Sequence, residues 1–188
     1  MSFKLKKAAA VLAAAGTLML TGCGAKLPFT QRTPDFNSTY TVSADITFEN
    51  LKAKAELTRV TSDEWEFSFT EPKQLNGLKI KLNSERYAAS LGGLSFSAED
   101  SSVYTALPKL IAKSIGLLSN TVSEKITSED GVLTFTDELD GKRVTITANE
   151  RTGDLISLKC PHFKLSVNFS DQKPYTLVLP EDEEVTIS

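Results

Sequence analysis

Cys160, Pro161 and His162 set a thiol and an imidazole two positions apart, the groups that a nucleophile and its general base require. On an extended segment the two could face the same way. His162 is the only histidine in the sequence and no partner motif for its ring stands out, so the segment reads as a buried structural cysteine beside a surface histidine. Asp137, Glu138 and Asp140 are close enough in sequence to consider for calcium, but they flank Asp140-Gly141, a turn where acids serve solubility and geometry. Gly92-Gly93 is explained by a hairpin and precedes no helix, so it is no phosphate cradle. No catalytic residue, metal or cofactor is expected, and the chain does not read as an enzyme.

The cysteine whose surroundings predict chemistry is Cys23. Lys4, Lys6 and Lys7 open the chain, Ala8 to Leu20 are almost all apolar, and no acid precedes position 23. Thirteen helical residues would span ~20 Å, short of a bilayer core of ~30 Å, so the segment reads as a cleaved leader rather than a membrane span. Leu20-Thr21-Gly22-Cys23 resembles a bacterial lipobox, whose small residues admit the lipoprotein signal peptidase to the bond before a diacylated cysteine. The expected leader is 1–22, and Cys23 is the expected lipidation site, carrying palmitate-type chains. The expected address is the extracytoplasmic side of a bacterial membrane, the cell membrane first. The competing reading is an ordinary secretory leader with an incidental cysteine. With Cys23 acylated no disulfide within one chain is expected, which leaves open an intermolecular bond through Cys160.

Charge narrows the partners. The 188 residues carry a formal charge of −3, and removing the leader removes three Lys and no acid, leaving 18 basic against 24 acidic side chains, or −6. Such a chain offers no basic field to a phosphate backbone, so nucleic acid is not an expected partner. Anionic headgroups would repel the surface as a whole, so the anchor is expected to be covalent and any further lipid contact apolar. A composition 40% hydrophobic and 24% charged is that of a globular protein.

The elements that must position any site follow from periodicity. Residues 23–39 contain Pro28, Pro34, Thr30, Gln31 and Asn37 without a period and read as a tether. From Tyr40 apolar residues alternate: Tyr40, Val42, Ala44, Ile46, Phe48; then Leu51 to Leu57; Trp65, Phe67, Phe69; Leu78, Ile80, Leu82; Tyr87, Ala89, Leu91; and Leu94, Phe96, Ala98. Between Val103 and Leu118 the period becomes helical, with Leu107, Leu110, Ile111, Ser114 and Leu118 on one stripe and a regular start near Leu107, which suits Pro108 in the first turn. Strand patterns return at Val132 to Thr136, Arg143 to Ala148, Leu155 to Leu158 and Phe163 to Phe169, with one more candidate at Tyr175 to Leu179. One folded domain over 40–180 and an acidic tail over 181–188 are expected.

A helix of about a dozen residues is ~18 Å long and cannot cover a wide flat sheet. The expected fold class is mainly β (α+β), a single curved antiparallel half-barrel sheet of about 8–10 strands with one main helix against its concave face. Sandwich and closed barrel are the other solutions. Such a plugged half-barrel tends to keep an apolar concavity suited to a lipid-like ligand.

Trp65-Glu66-Phe67-Ser68-Phe69-Thr70-Glu71-Pro72, followed by Leu78-Lys79-Ile80-Lys81-Leu82 and Tyr87-Ala88-Ala89-Ser90-Leu91, resembles the early strands of the LolA-like superfamily. That superfamily includes lipoprotein carriers and glycolipid-binding lipoproteins. The resemblance runs over residues 40 to 170 as strand order and helix placement, and implies a half-barrel whose cavity carries acyl chains between membranes. The tether departs from the pattern, lacking the amphipathic helix that usually precedes the first strand in the carriers. Candidate wall residues are Trp65, Phe67, Phe69, Ile80, Leu91, Phe96, Leu107, Ile111 and Leu118; a stripe of this kind serves equally as plain core. The leading expectation is a membrane-anchored lipoprotein that binds or carries a lipid or acyl chain. The alternative is a lipid-anchored interaction module with a self-filled core and an envelope protein as partner.

Overall fold

Alternation from Tyr40 onward becomes strand β1, Tyr40–Phe48, with Tyr40, Val42, Ala44 and Ile46 buried and Ser43, Asp45 and Thr47 exposed. The computed structural model describes residues 35–83, 86–99, 107–120 and 125–176. Among them the other strands are β2 Leu51–Arg59, β3 Trp65–Glu71, β4 Lys79–Leu82, β5 Arg86–Leu91, β6 Leu94–Glu99, β7 Ile126–Glu129, β8 Val132–Leu139, β9 Lys142–Asn149, β10 Leu155–Cys160 and β11 Leu165–Pro174. The helix α1 is Leu107–Gly116, continued by a 3-10 turn at Leu117–Asn120.

All eleven strands join one antiparallel sheet in the order β6-β5-β4-β3-β2-β1-β11-β10-β9-β8-β7. Turn chemistry sets three of these pairings, β5–β6, β7–β8 and β8–β9. Gly92-Gly93, Asp130-Gly131 and Asp140-Gly141 place both central residues at positive φ, the mirror-image hairpin turn whose twist matches that of its strands. β1 lies between β2 and β11 in mid-sheet, so each half of the chain runs outward to a different edge, ending at β6 or beginning at β7. The connection between those edges carries α1, which packs on β10 and buries Leu107, Leu110, Ile111 and Ile115 in the same cluster as the strand residues. Each large apolar side chain buried there contributes roughly 1.5–3 kcal/mol relative to exposure.

Several expectations change. The sheet has eleven described strands rather than about 8–10, because Ile126–Glu129 pairs along β8 although only one of its residues, Ile126, is apolar. Tertiary pairing overrides a pattern too short to read. Phe163 does not open the last strand; it ends a 3-10 turn, Pro161–Phe163, and Lys164 at a φ of 50° redirects the chain into β11. That strand runs on to Pro174, while Tyr175 and Thr176 lie beyond it and 177–179 fall outside the described residues. The expected leader, Cys23 and the expected acidic tail also lie outside the described residues, as does Val103 of the helical stripe.

Candidate functional site

Because side chains alternate across a strand, register decides which residues share a face. Phe67 of β3 lies opposite Ile80 of β4, Ile80 opposite Ala89 of β5, and Ala89 opposite Phe96 of β6, which makes one continuous row on the inner face. Exposure climbs along that row: Phe67 is 0% exposed, Ile80 6%, Ala89 half-buried and Phe96 61%. The neighbouring row, Trp65, Leu82 and Tyr87, goes from buried to half-buried in the same direction. Tyr87 and Phe96, diagonal across β5 and β6, meet edge to face with ring centroids 6.3 Å apart. The apolar inner face therefore extends beyond the part of the sheet that is buried, and emerges as a shelf of Tyr87, Ala89, Leu91, Leu94 and Phe96.

The candidate wall residues fall into two groups. Trp65, Phe67, Phe69, Ile80, Leu107, Ile111 and Leu118 are buried together in the core cluster. Leu91 and Phe96 stand on the open shelf. Tyr87 and Leu94 were not among the candidates, although their strand parity is the signal that places them with Phe96. Beside the helix, a cleft of about 360 Å³ has Trp65, Leu82 and Ala112 among its apolar walls and Ser62, Asp63, Lys109 and Lys113 among its polar ones.

A polar group inside the core escaped the sequence reading. Arg59 ends the inward series Ala53, Ala55, Leu57 and is 1% exposed. Its guanidinium donates to the backbone oxygens of Phe36 and Thr61 and to Ser119 Oγ, and lies 5.8 Å from the Trp65 ring centroid. Opposite it in register, the Tyr40 hydroxyl is buried with no hydrogen-bond partner among the described residues, as is Ser114 Oγ on the helix. Burial raises the Tyr40 pKa far above the usual tyrosine value, against a smaller opposing pull from Arg59.

The residues weighed for catalysis do not converge. The Cys160 side chain is buried at the end of β10, where desolvation raises its pKa and the Phe163 N–H opposes that rise. His162 is exposed in the following turn, its ring edge-on to Phe163. Asp137 is bound by Lys125, a hydrogen bond that holds its carboxyl below the usual range, and Asp140 sits in the hairpin turn. Among the described residues no group of three His, Cys, Asp or Glu side chains could hold a metal ion. No described helix is long and apolar enough to cross a membrane.

No family model matches the chain, and no curated protein does. Its fold is similar to that of an uncharacterized conserved protein from Thermus thermophilus, with a TM-score of 0.50 at 9% identity over 78% of this chain and 88% of the other. Weaker likenesses join it to a LolA superfamily protein from Nitrosomonas europaea, TM-score 0.39 at 10% identity over 78% and 90% of the two chains, and to LprF from Mycobacterium bovis, TM-score 0.42 at 11% identity over 78% and 90%. At these identities the likeness is one of mainly β architecture, with a single main helix against an antiparallel sheet.

Proposed function

We propose that this chain is a lipoprotein anchored through a diacylglyceryl group on Cys23 to the extracytoplasmic side of a bacterial membrane, and that it binds a lipid or acyl chain on the inner face of a LolA-like half-barrel. The observation that carries the ligand reading is the rise in exposure from Phe67 to Phe96 along one apolar row. A chain laid along Ala89, Phe96 and Tyr87 gains ~0.8 kcal/mol per methylene taken out of water, so polar recognition is not required. The leader 1–22, whose last residues Leu20-Thr21-Gly22 precede Cys23, supports the anchor.

The test is mass spectrometry of lipid co-purifying with the protein, together with titration of a fluorescent fatty acid. Saturable uptake that Phe96→Asp weakens is the expected result. Phe96 is exposed, so this variant keeps its fold, which circular dichroism checks. A second reading, an envelope interaction module with a self-filled core, is favoured by the burial of seven of the nine candidate wall residues. Neither co-purified lipid nor saturable uptake would put that reading first.

A further inference from the structure

Four large apolar side chains are exposed among the described residues, and three of them, Leu91, Leu94 and Phe96, belong to the β5–β6 hairpin. Leu91 and Leu94 face each other across Gly92-Gly93, and Leu94 is 80% exposed. Single exposed apolar residues are ordinary, but a cluster at one tip marks a surface with a partner.

The charge around the tip runs against that of the whole chain. Residues 72–83 and 87–98 contain Lys73, Lys79 and Lys81 and no acid, in a chain of formal charge −3. Register places these cations: Ser68, Lys79, Ser90 and Ser95 form one row just behind the tip, and the turn holding Lys73 leads into the same end of β4. Lys81 is bound to Glu66, and Glu71 to Lys54 at 3.1 Å. Lys73 and Lys79 are exposed, and no described acid pairs with either. A groove of about 350 Å³ along the hairpin has Lys79, Lys81, Ser90 and Ser95 among its polar walls and Ala88 and Phe96 among its apolar ones. Glu99 lies at the far end of the hairpin, opposite Arg86.

An apolar point backed by cations and hydroxyls matches the depth profile of an anionic bilayer, where acyl carbon lies beneath phosphate. We infer that the β5–β6 tip docks on an anionic membrane surface, with Leu91 and Leu94 below the phosphates and Lys73 and Lys79 among them. The contact requires neither the Cys23 anchor nor a ligand on the shelf behind the tip.

The test uses the chain from position 23 carrying Cys23→Ser, sedimented with vesicles of phosphatidylcholine alone or of three parts phosphatidylcholine to one part phosphatidylglycerol. Binding to the mixed vesicles that weakens in about half-molar salt is expected. Leu94→Ser, or Lys73→Gln with Lys79→Gln, should lower the bound fraction about fivefold. Ile156→Ser, which removes the fourth exposed apolar side chain on β10, should leave it unchanged. All these side chains are exposed, so the circular dichroism spectrum and urea midpoint should stay at wild type. Lost vesicle binding in the Lys73→Gln, Lys79→Gln variant, whose side chains lie off the shelf, with fatty-acid uptake intact would separate docking from ligand binding. Absence of binding to the mixed vesicles, or binding indifferent to Leu94→Ser, would overturn the inference. Self-association abolished by Leu94→Ser without vesicle binding would assign the tip to a second copy of the chain instead.

Discussion

Phe67 and Phe96 lie in the same row of the sheet's inner face with two strands between them, yet Phe67 is fully buried and Phe96 is 61% exposed. Identical side chains on one face thus have different roles, one as core and the other as available surface. Phe67→Ala should lower unfolding free energy by about 3–5 kcal/mol, whereas Phe96→Ala should stay within about 0.5 kcal/mol of wild type. Urea denaturation checks both, and equal losses would show that Phe96 is core.

Tyr40 and Ser114 each bury a hydroxyl with no hydrogen-bond partner among the described residues. Removing such a group relieves desolvation without losing a hydrogen bond, so Tyr40→Phe and Ser114→Ala should each raise stability by about 1 kcal/mol. Tyr40 adds a pH signature. Its folded pKa is raised, so the folded chain holds this proton at a pH where the unfolded chain has released it. The tyrosine contribution is fully present below about pH 10 and is lost as pH rises beyond that value. Denaturation midpoints measured from neutral to alkaline pH should fall less steeply in Tyr40→Phe.

Arg59 bonds to the backbone of Phe36 and Thr61 and to Ser119, joining the segment before β1 to the turn after α1. Arg59→Ala leaves part-buried acceptors unmet and opens space beside Trp65, an expected loss of about 2–4 kcal/mol. Arg59→Lys retains a cation but not the planar fork that reaches three acceptors, so it should recover only part of that loss. Thermal melts of the two variants check the order; equal melts would deny the fork a role.

Cys160 should be slow to react in the folded chain. Its thiol is buried and its pKa raised, both of which suppress the thiolate that reacts. In a Cys23→Ser background, a disulfide reagent at pH 8 should label Cys160 only as urea unfolds the chain. Rapid native labelling would contradict the burial. The sign for stability matches that of Tyr40: the contribution is present below the unfolded thiol pKa of about 8.5 and is lost as pH rises through the folded value.

Strand positions, the mirror-image turns and the helical stripe were legible in the amino-acid sequence because each is written in neighbouring residues. Tyr40 to Phe48 alternates within itself, and Asp140-Gly141 carries its own positive φ. The proposed leader and its lipobox-like end are local in the same sense, and so rest on sequence alone. Burial is not local. A period of two says that Phe67 and Phe96 share a face, but whether that face is covered depends on α1 and on strands far along the chain, so the tertiary structure decided which candidate wall residues were core and which were shelf. Arg59 shows the limit from the other side: its parity with Leu57 pointed inward, but a buried guanidinium is tolerable only where acceptors from Phe36, Thr61 and Ser119 converge. β7, with a single apolar residue, became a strand because β8 offered it a paired edge, a relationship that no window of its own sequence contains.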